Sequence, residues 1–197
     1  MPSLKIVHYP HPALKWKSKD VTKIDAQLKQ WIAEMFELMY EARGIGLAAN
    51  QVALPYRLFV INPSGDRSQP ELEQVFINPE IVRRNGSADA EEGCLSLPEV
   101  FGQVTRAERI VVEAFDLDGQ QVTLELDGLD ARVVQHESDH LDGVMFTERV
   151  APETLDELQP LLDDFTSQHQ RAQQDGHLAP DDDLCSTLRD LESQRTG

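Results

Sequence analysis

His136-Glu137-Ser138-Asp139-His140 places two imidazoles four residues apart, with a carboxylate beside the first. On a helix, positions i and i+4 share a face about one turn apart, so both rings can reach one metal ion while Glu137 stands next to it. That is the spacing of a hydrolytic metal site. The ion lowers the pKa of a coordinated water from ~15.7 toward neutral, and the neighbouring carboxylate can take its proton and pass it to a leaving amine. Such a site needs a third protein ligand and a position left open for water. In one class that ligand is a histidine six residues after the second, but Phe146 stands there, although Gly143 fits the same pattern. In another it is a glutamate on a later helix, and Glu153 and Glu157 exist without a distinctive local context. Cys94 is the better candidate, because Glu92-Gly93-Cys94-Leu95-Ser96 sets a small residue directly before the thiol and glycine permits close backbone approach. A thiolate with two imidazoles suits iron(II), zinc, cobalt or nickel. Against this stand the plain readings of a chance histidine pair on a surface helix and a buried structural thiol.

The elements around these residues have their own signatures. Between residues 25 and 43, Leu28, Trp31, Ile32, Met35, Phe36, Leu38 and Met39 recur at three- and four-residue steps, which predicts an amphipathic helix stopped by Gly44 and Gly46. Two short apolar runs, 57–62 and 75–78, close on Asn-Pro pairs and read as strands ending in turns. Runs 110–115 and 122–126 flank Asp118-Gly119, a dipeptide suited to the tight turn of a hairpin. Helical spacing returns over 129–141, with Leu129, Val133, Val134 and Leu141 expected to face inward around the two histidines. A last helix is expected from Pro152, carrying Leu155, Leu158, Leu161, Leu162 and Phe165, with Pro160 a candidate kink. Beyond Gln168 the pattern fades, and the acidic end is expected to be largely mobile. The order of elements predicts an α+β fold: short, mostly antiparallel strands around the motif helix, with an N-terminal and a C-terminal helix. Residues 1–150 are expected to form the catalytic domain, and 151–197 a C-terminal helix with a partly mobile acidic tail.

Bulk composition narrows the partners. The 197 residues are 40% hydrophobic, enough for one core. A net charge of -17 opposes electrostatic attraction to nucleic acid and anionic lipid. No stretch approaches the ~20 apolar residues that span a bilayer, so neither nucleic acid nor membrane is an expected ligand. Two cysteines, Cys94 and Cys185, make no disulfide framework and fit a reducing, cytoplasmic setting.

Three segments resemble, in order, the three motifs of the peptide deformylase family. They are Gly44-Ile45-Gly46-Leu47-Ala48-Ala49-Asn50-Gln51, then Glu92-Gly93-Cys94-Leu95-Ser96, then Gln135-His136-Glu137-Ser138-Asp139-His140-Leu141-Asp142-Gly143. The similarity spans residues 6–150. It implies an α+β fold and a metal-dependent hydrolase that removes the formyl group from N-terminal formyl-methionine of nascent polypeptides, releasing formate. It further implies Cys94, His136 and His140 as ligands of one divalent ion, typically Fe(II) with Zn, Ni or Co as substitutes, and Glu137 as general acid and base. By the same resemblance Gln51 and the Leu95 N–H stabilise the oxyanion. The substrate chain would lie extended along Ile45, Gly46 and Gly93, with Ile45, Leu129, Val133 and His136 around the methionine side chain. Arg106 stands where the family often holds Glu92 with an arginine.

The chain also departs from that pattern. Asn50 stands where Pro or Thr is common, and Phe101 where some members are basic, which bears on the second or third substrate residue. The end is longer and more acidic than in compact members, in which a C-terminal element helps reach the ribosome. Acidic residues are repelled by ribosomal RNA, so such contact would use basic ribosomal proteins, and the plainer reading is a solvated tail. Two other functions remain to be separated from this one: a metallopeptidase cutting internal bonds, and a structural zinc module closed by Cys94, Cys185, His136 and His140.

Overall fold

A computed structural model describes residues 4–195. Four helices and seven strands are arranged around two antiparallel sheets. The larger sheet has strand order β1 (Gly46–Ala48), β2 (Leu58–Ile61), β3 (Gln74–Asn85), β6 (Arg109–Phe115) and β7 (Gln121–Asp127). The smaller one pairs β4 (Ala88–Cys94) with β5 (Leu97–Arg106). The expected hairpin is β6–β7, in register from Arg109 opposite Asp127 to Phe115 opposite Gln121.

Helix α1 (Ala26–Glu41) forms where its stripe lies, buries Leu28, Trp31, Ile32, Met35, Phe36 and Met39, and opens on Asp25, whose side chain accepts from Leu28 N at 2.9 Å. Its end differs from expectation. Arg43, not a glycine, takes the left-handed conformation with φ of 58°, and Gly44 N closes back onto the Met39 carbonyl at 2.8 Å. Gly44 lies against the second motif: a Cβ there would come 2.6 Å from Leu95 Cδ1 and make that side chain shift. The first motif thus passes in contact with the second.

Helix α2 (Gly128–Leu141) packs on the larger sheet. Ala131, Val133, Val134 and Leu141 join Phe59, Ile61, Phe76 and Val112 in one core cluster, with the Phe59 and Phe76 rings stacked at 4.8 Å. Leu129 was expected to face inward with them, but it is 51% exposed and stands at the rim of a cleft, one turn ahead of the buried stripe.

Sequence periodicity missed the β4–β5 sheet, and strand β3 runs well past the predicted 75–78 by bulging at Asn78-Pro79, where Asn78 adopts φ of 51°. Helix α3 (Pro152–Gln174) is continuous through Pro160 and buries Leu158 and Leu162 against Leu14, Val100 and Phe146.

Past Gln168, where the sequence pattern fades, α3 runs on to Gln174. The chain forms a further helix, α4 (Asp181–Ser193), docked on the body, and only residues 196–197 of this tail lie outside the described part. Leu188 is 2% exposed and Leu191 packs on the α1 core cluster. Tyr56 donates to the Leu191 carbonyl at 2.5 Å, Trp16 Nε1 to Glu192 at 2.7 Å, and Arg195 Nη1 to Asp25 at 2.9 Å while its guanidinium lies 4.8 Å over the Trp31 ring. These anchors, and the apolar area under the two leucines, offset the ordering entropy that an undocked acidic segment does not cover. Deleting residues 176–197 should therefore lower stability by about 3–5 kcal/mol. Urea unfolding measures this, and an unchanged midpoint would show that α4 merely rests on the surface.

Candidate active site

The end of β4, the start of β5, the loop after α1 and one side of α2 from Leu129 to Glu137 enclose a cleft of about 700 Å³. Every catalytic, ligand and substrate-binding residue expected from the sequence lines it except His140, which lies just behind at 1% exposure. Ile45, Gly46, Gln51, Gly93, Cys94, Leu95, Leu129, Val133, His136 and Glu137 thus converge from three separate segments.

At its floor, one donor atom each from Cys94, His136 and His140 lie within 4.8 Å of one another, and Cys94 Sγ stands 3.2 Å from His140 Nε2. The helix presents the two rings on one face, 5.0 Å apart at 72°. Cys185 sits on α4 and takes no part in this group, so the closed four-ligand alternative is not built.

The donors fit a metal ion. A tetrahedral ion bonded at about 2.3 Å to sulfur and about 2.1 Å to nitrogen needs donors roughly 3.4–3.6 Å apart, which small side-chain shifts supply here. His136 donates from Nδ1 to Glu92 Oε2 at 3.0 Å, which leaves Nε2 free as a ligand. Glu137 is 4% exposed and its Oε2 is buried without a hydrogen-bond partner among the described residues, as expected of a carboxylate that awaits water or substrate.

Burial pushes the Glu137 carboxyl up to about 7, the nearby His136 charge pulling against it and the Glu92 charge adding to it. Burial also opposes the charged form of His136, but the Cys94 sulfur and the Glu92 carboxylate outweigh it and drive its pKa up to about 10 in the absence of metal. His140 goes the other way: burial first, then the positive charges of His136 and Arg106, keep it neutral.

Gln51 is 1% exposed and is aimed by its own loop. Its Oε1 accepts from Ala48 N at 2.8 Å, which turns Nε2 toward Cys94 Sγ at 3.4 Å and Ser96 Oγ at 3.3 Å. Gly46 lies directly against the acid: a Cβ there would fall on Glu137 Oε1 and within 2.9 Å of Val133 Cγ1. Among the described residues β1 pairs only with β2 and β4 only with β5, and Gly46 of β1 and Glu91 to Cys94 of β4 both line the cleft.

Glu92 and Arg106 meet as expected, Nε and Nη2 each 2.9 Å from the carboxylate, both residues buried. Burial works against the Glu92 charge, but Arg106 and His136 hold its carboxyl well below the usual carboxylate range. Arg106 Nη1 also pairs with Asp139, which binds Arg149 Nη2 at 2.7 Å. Sequence reasoning missed Asp139, Arg149 and Arg132 in this network. Arg132 and Asp139 flank His136 at four and three residues on α2, a helical spacing that could have marked them.

Comparison with known proteins agrees with this arrangement. The sequence profile described as polypeptide deformylase matches residues 3–156. The peptide deformylase of Rhodopirellula baltica is 45% identical over 194 residues, 98% of this chain and 96% of the relative, so the similarity extends through α4. That of Chromobacterium violaceum is 52% identical over 151 residues, 77% of this chain and 89% of the relative. Among solved structures, the peptide deformylase from Plasmodium falciparum superposes with a TM-score of 0.83 at 36% identity, covering 85% of this chain and 98% of the other. By sequence and fold alike, the chain belongs to the polypeptide deformylase family.

Proposed function

We propose that this enzyme hydrolyses the N-formyl group of formyl-methionyl peptides and that residues 1–150 carry the apparatus, with 151–197 as a supporting C-terminal segment. The observation that carries the reading is the convergence of Cys94, His136, His140 and Glu137 on one cleft lined by residues of β1 and β4. Cys94, His136 and His140 would hold one divalent ion, for which Fe(II) is our assignment and Zn, Ni and Co the alternatives. When bound, the ion supplies Lewis acidity, bringing a coordinated water near a neutral pKa.

The chain's own residues do the rest. The edges at Ile45, Gly46 and Gly93 take the peptide as an added strand, a sequence-tolerant contact. Ile45, Leu129 and Val133 surround the methionine side chain. Glu137 accepts the water proton as the oxygen adds to the formyl carbon, and Gln51 Nε2 with the Leu95 N–H donates to the oxyanion that develops. The C–N bond then breaks as Glu137 returns the proton to the amine, leaving formate and a free N-terminus. The exposed cleft suits a nascent chain near the ribosome in the cytoplasm. No helix among the described residues is long and apolar enough to cross a membrane.

Anaerobically purified protein should release formate from formyl-Met-Ala-Ser in proportion to bound metal. Cleavage of internal peptide bonds with no formate would select the peptidase instead.

A further inference from the structure

Cys94 comes from the end of β4 and both imidazoles from α2, so the three donor atoms meet only while that strand is held against that helix. The main packing of α2 is on β1, β2, β6 and β7, so side chains must bridge it to the small sheet. Gln135 ties to the Ala107 backbone just past β5, at 3.0 and 2.9 Å. Arg132 reaches further. From one turn before His136 it donates from Nη2 to the Ala88 carbonyl of β4 at 2.6 Å, and from Nη1 to the Val104 carbonyl of β5 at 2.9 Å. The same Nη1 donates to Glu92 Oε1 at 2.6 Å, while Glu92 Oε2 accepts from His136 Nδ1. One planar fork thus touches both strands of the hairpin and the carboxylate that orients a ligand.

We propose that Arg132 is a positioning residue for the metal centre: it clamps the strand bearing Cys94 to the helix bearing His136 and His140 and fixes the carboxylate that aims His136. This rests on the reading that those three residues hold the ion. The guanidinium geometry matters, because its rigid fork serves three acceptors in different directions, whereas a lysine ammonium on a flexible stem reaches fewer of them at once. Without the clamp, Arg106 still joins Glu92 to Asp139 and Gln135 still holds the Ala107 backbone, but the Ala88 and Val104 carbonyls lose their link to α2 and the sulfur meets the rings at a less fixed spacing.

Full-length wild type, Arg132→Met, Arg132→Lys and a Cys94→Ser control are loaded with Co(II). Affinity is read by chelator competition, and coordination by the visible and thiolate charge-transfer bands. Arg132→Met should bind Co(II) about 10- to 100-fold more weakly, with shifted bands. Arg132→Lys should recover only part of the loss, and formate release should fall in kcat rather than rise in KM. Wild-type affinity and spectrum in Arg132→Met, or a KM effect alone, would overturn the proposal and make Arg132 a substrate contact. Should Arg132→Met fail to melt cooperatively, Arg132→Lys decides, since wild-type Co(II) affinity in that variant is equally fatal. If wild type takes up no Co(II), or Cys94→Ser keeps the charge-transfer band, the underlying metal reading fails, which is a different result.

Discussion

Glu137→Ala should cost about 10²- to 10⁴-fold in formate release while the protein keeps its metal. Its carboxylate lies outside the Cys94, His136 and His140 group and carries an oxygen with no hydrogen-bond partner among the described residues, so removing it takes away the proton carrier and leaves the donors in place. Metal content and kcat measured on the same preparation separate the two effects, and full activity in the variant would remove Glu137 from the mechanism. The wild-type pH profile should agree. A protonated Glu137 cannot accept a proton, so activity falls on the acid side. Burial places that carboxyl at about 7 without metal, and a nearby cation favours the ionised form, so the limb belongs below 7. Stability of the metal-free protein gives an independent reading. From about 4.5, the ordinary value, up to about 7, the unfolded chain has released this proton and the folded one has not, so Glu137 erodes stability as pH rises through that window. Glu137→Gln should lack this slope.

Replacing His136 with alanine is expected to empty the site altogether. The change removes one donor and also strips Glu92 of its partner at 3.0 Å, so the loss of affinity should exceed the roughly 10- to 100-fold that follows loss of a supporting hydrogen bond. In the intact protein, uptake of metal at pH 7–8 should release about one proton from His136, whose pKa rises to about 10 beside Glu92 and Cys94 when no ion is present. A pH indicator in weak buffer reads that release directly. Metal uptake by His136→Ala at wild-type affinity, or by wild type with no proton released, would contradict the assigned ligand.

The metal motif, α1, α2 and the β6–β7 hairpin were legible because each repeats a local period: helical stripes with a cap, or two apolar runs around Asp118-Gly119. The β4–β5 sheet was not, for reasons visible in its residues. Strand β4 carries no large apolar residue, with Asp89 and Glu91 exposed and Glu92 buried, and β5 breaks alternation with Glu99 at φ of 63° and with buried Gly102 and Arg106 in slots that usually read as apolar. Helix α4 was hidden because Leu184, Leu188 and Leu191 are thinly spread among charges, although the Asp181-Asp182-Asp183 start complements a helix N-terminus. The ligands followed from residue types and spacing with the family resemblance added. Gln51 and the cleft lining rested on resemblance alone, and the Arg132 bridges depend on which strands lie beside α2, a long-range fact with no local signature.

The docking of α4 also bears on how this chain comes into being. Trp31 and Tyr56 belong to the early third of the sequence, yet Arg195 lies over the Trp31 ring and the Leu191 carbonyl accepts from the Tyr56 hydroxyl. Synthesis proceeds from the other end, so the contacts that α4 makes with this part of the core form only after every element it packs on has been made. An enzyme that trims the beginnings of new proteins thus completes part of its own core with the last helix of the described chain.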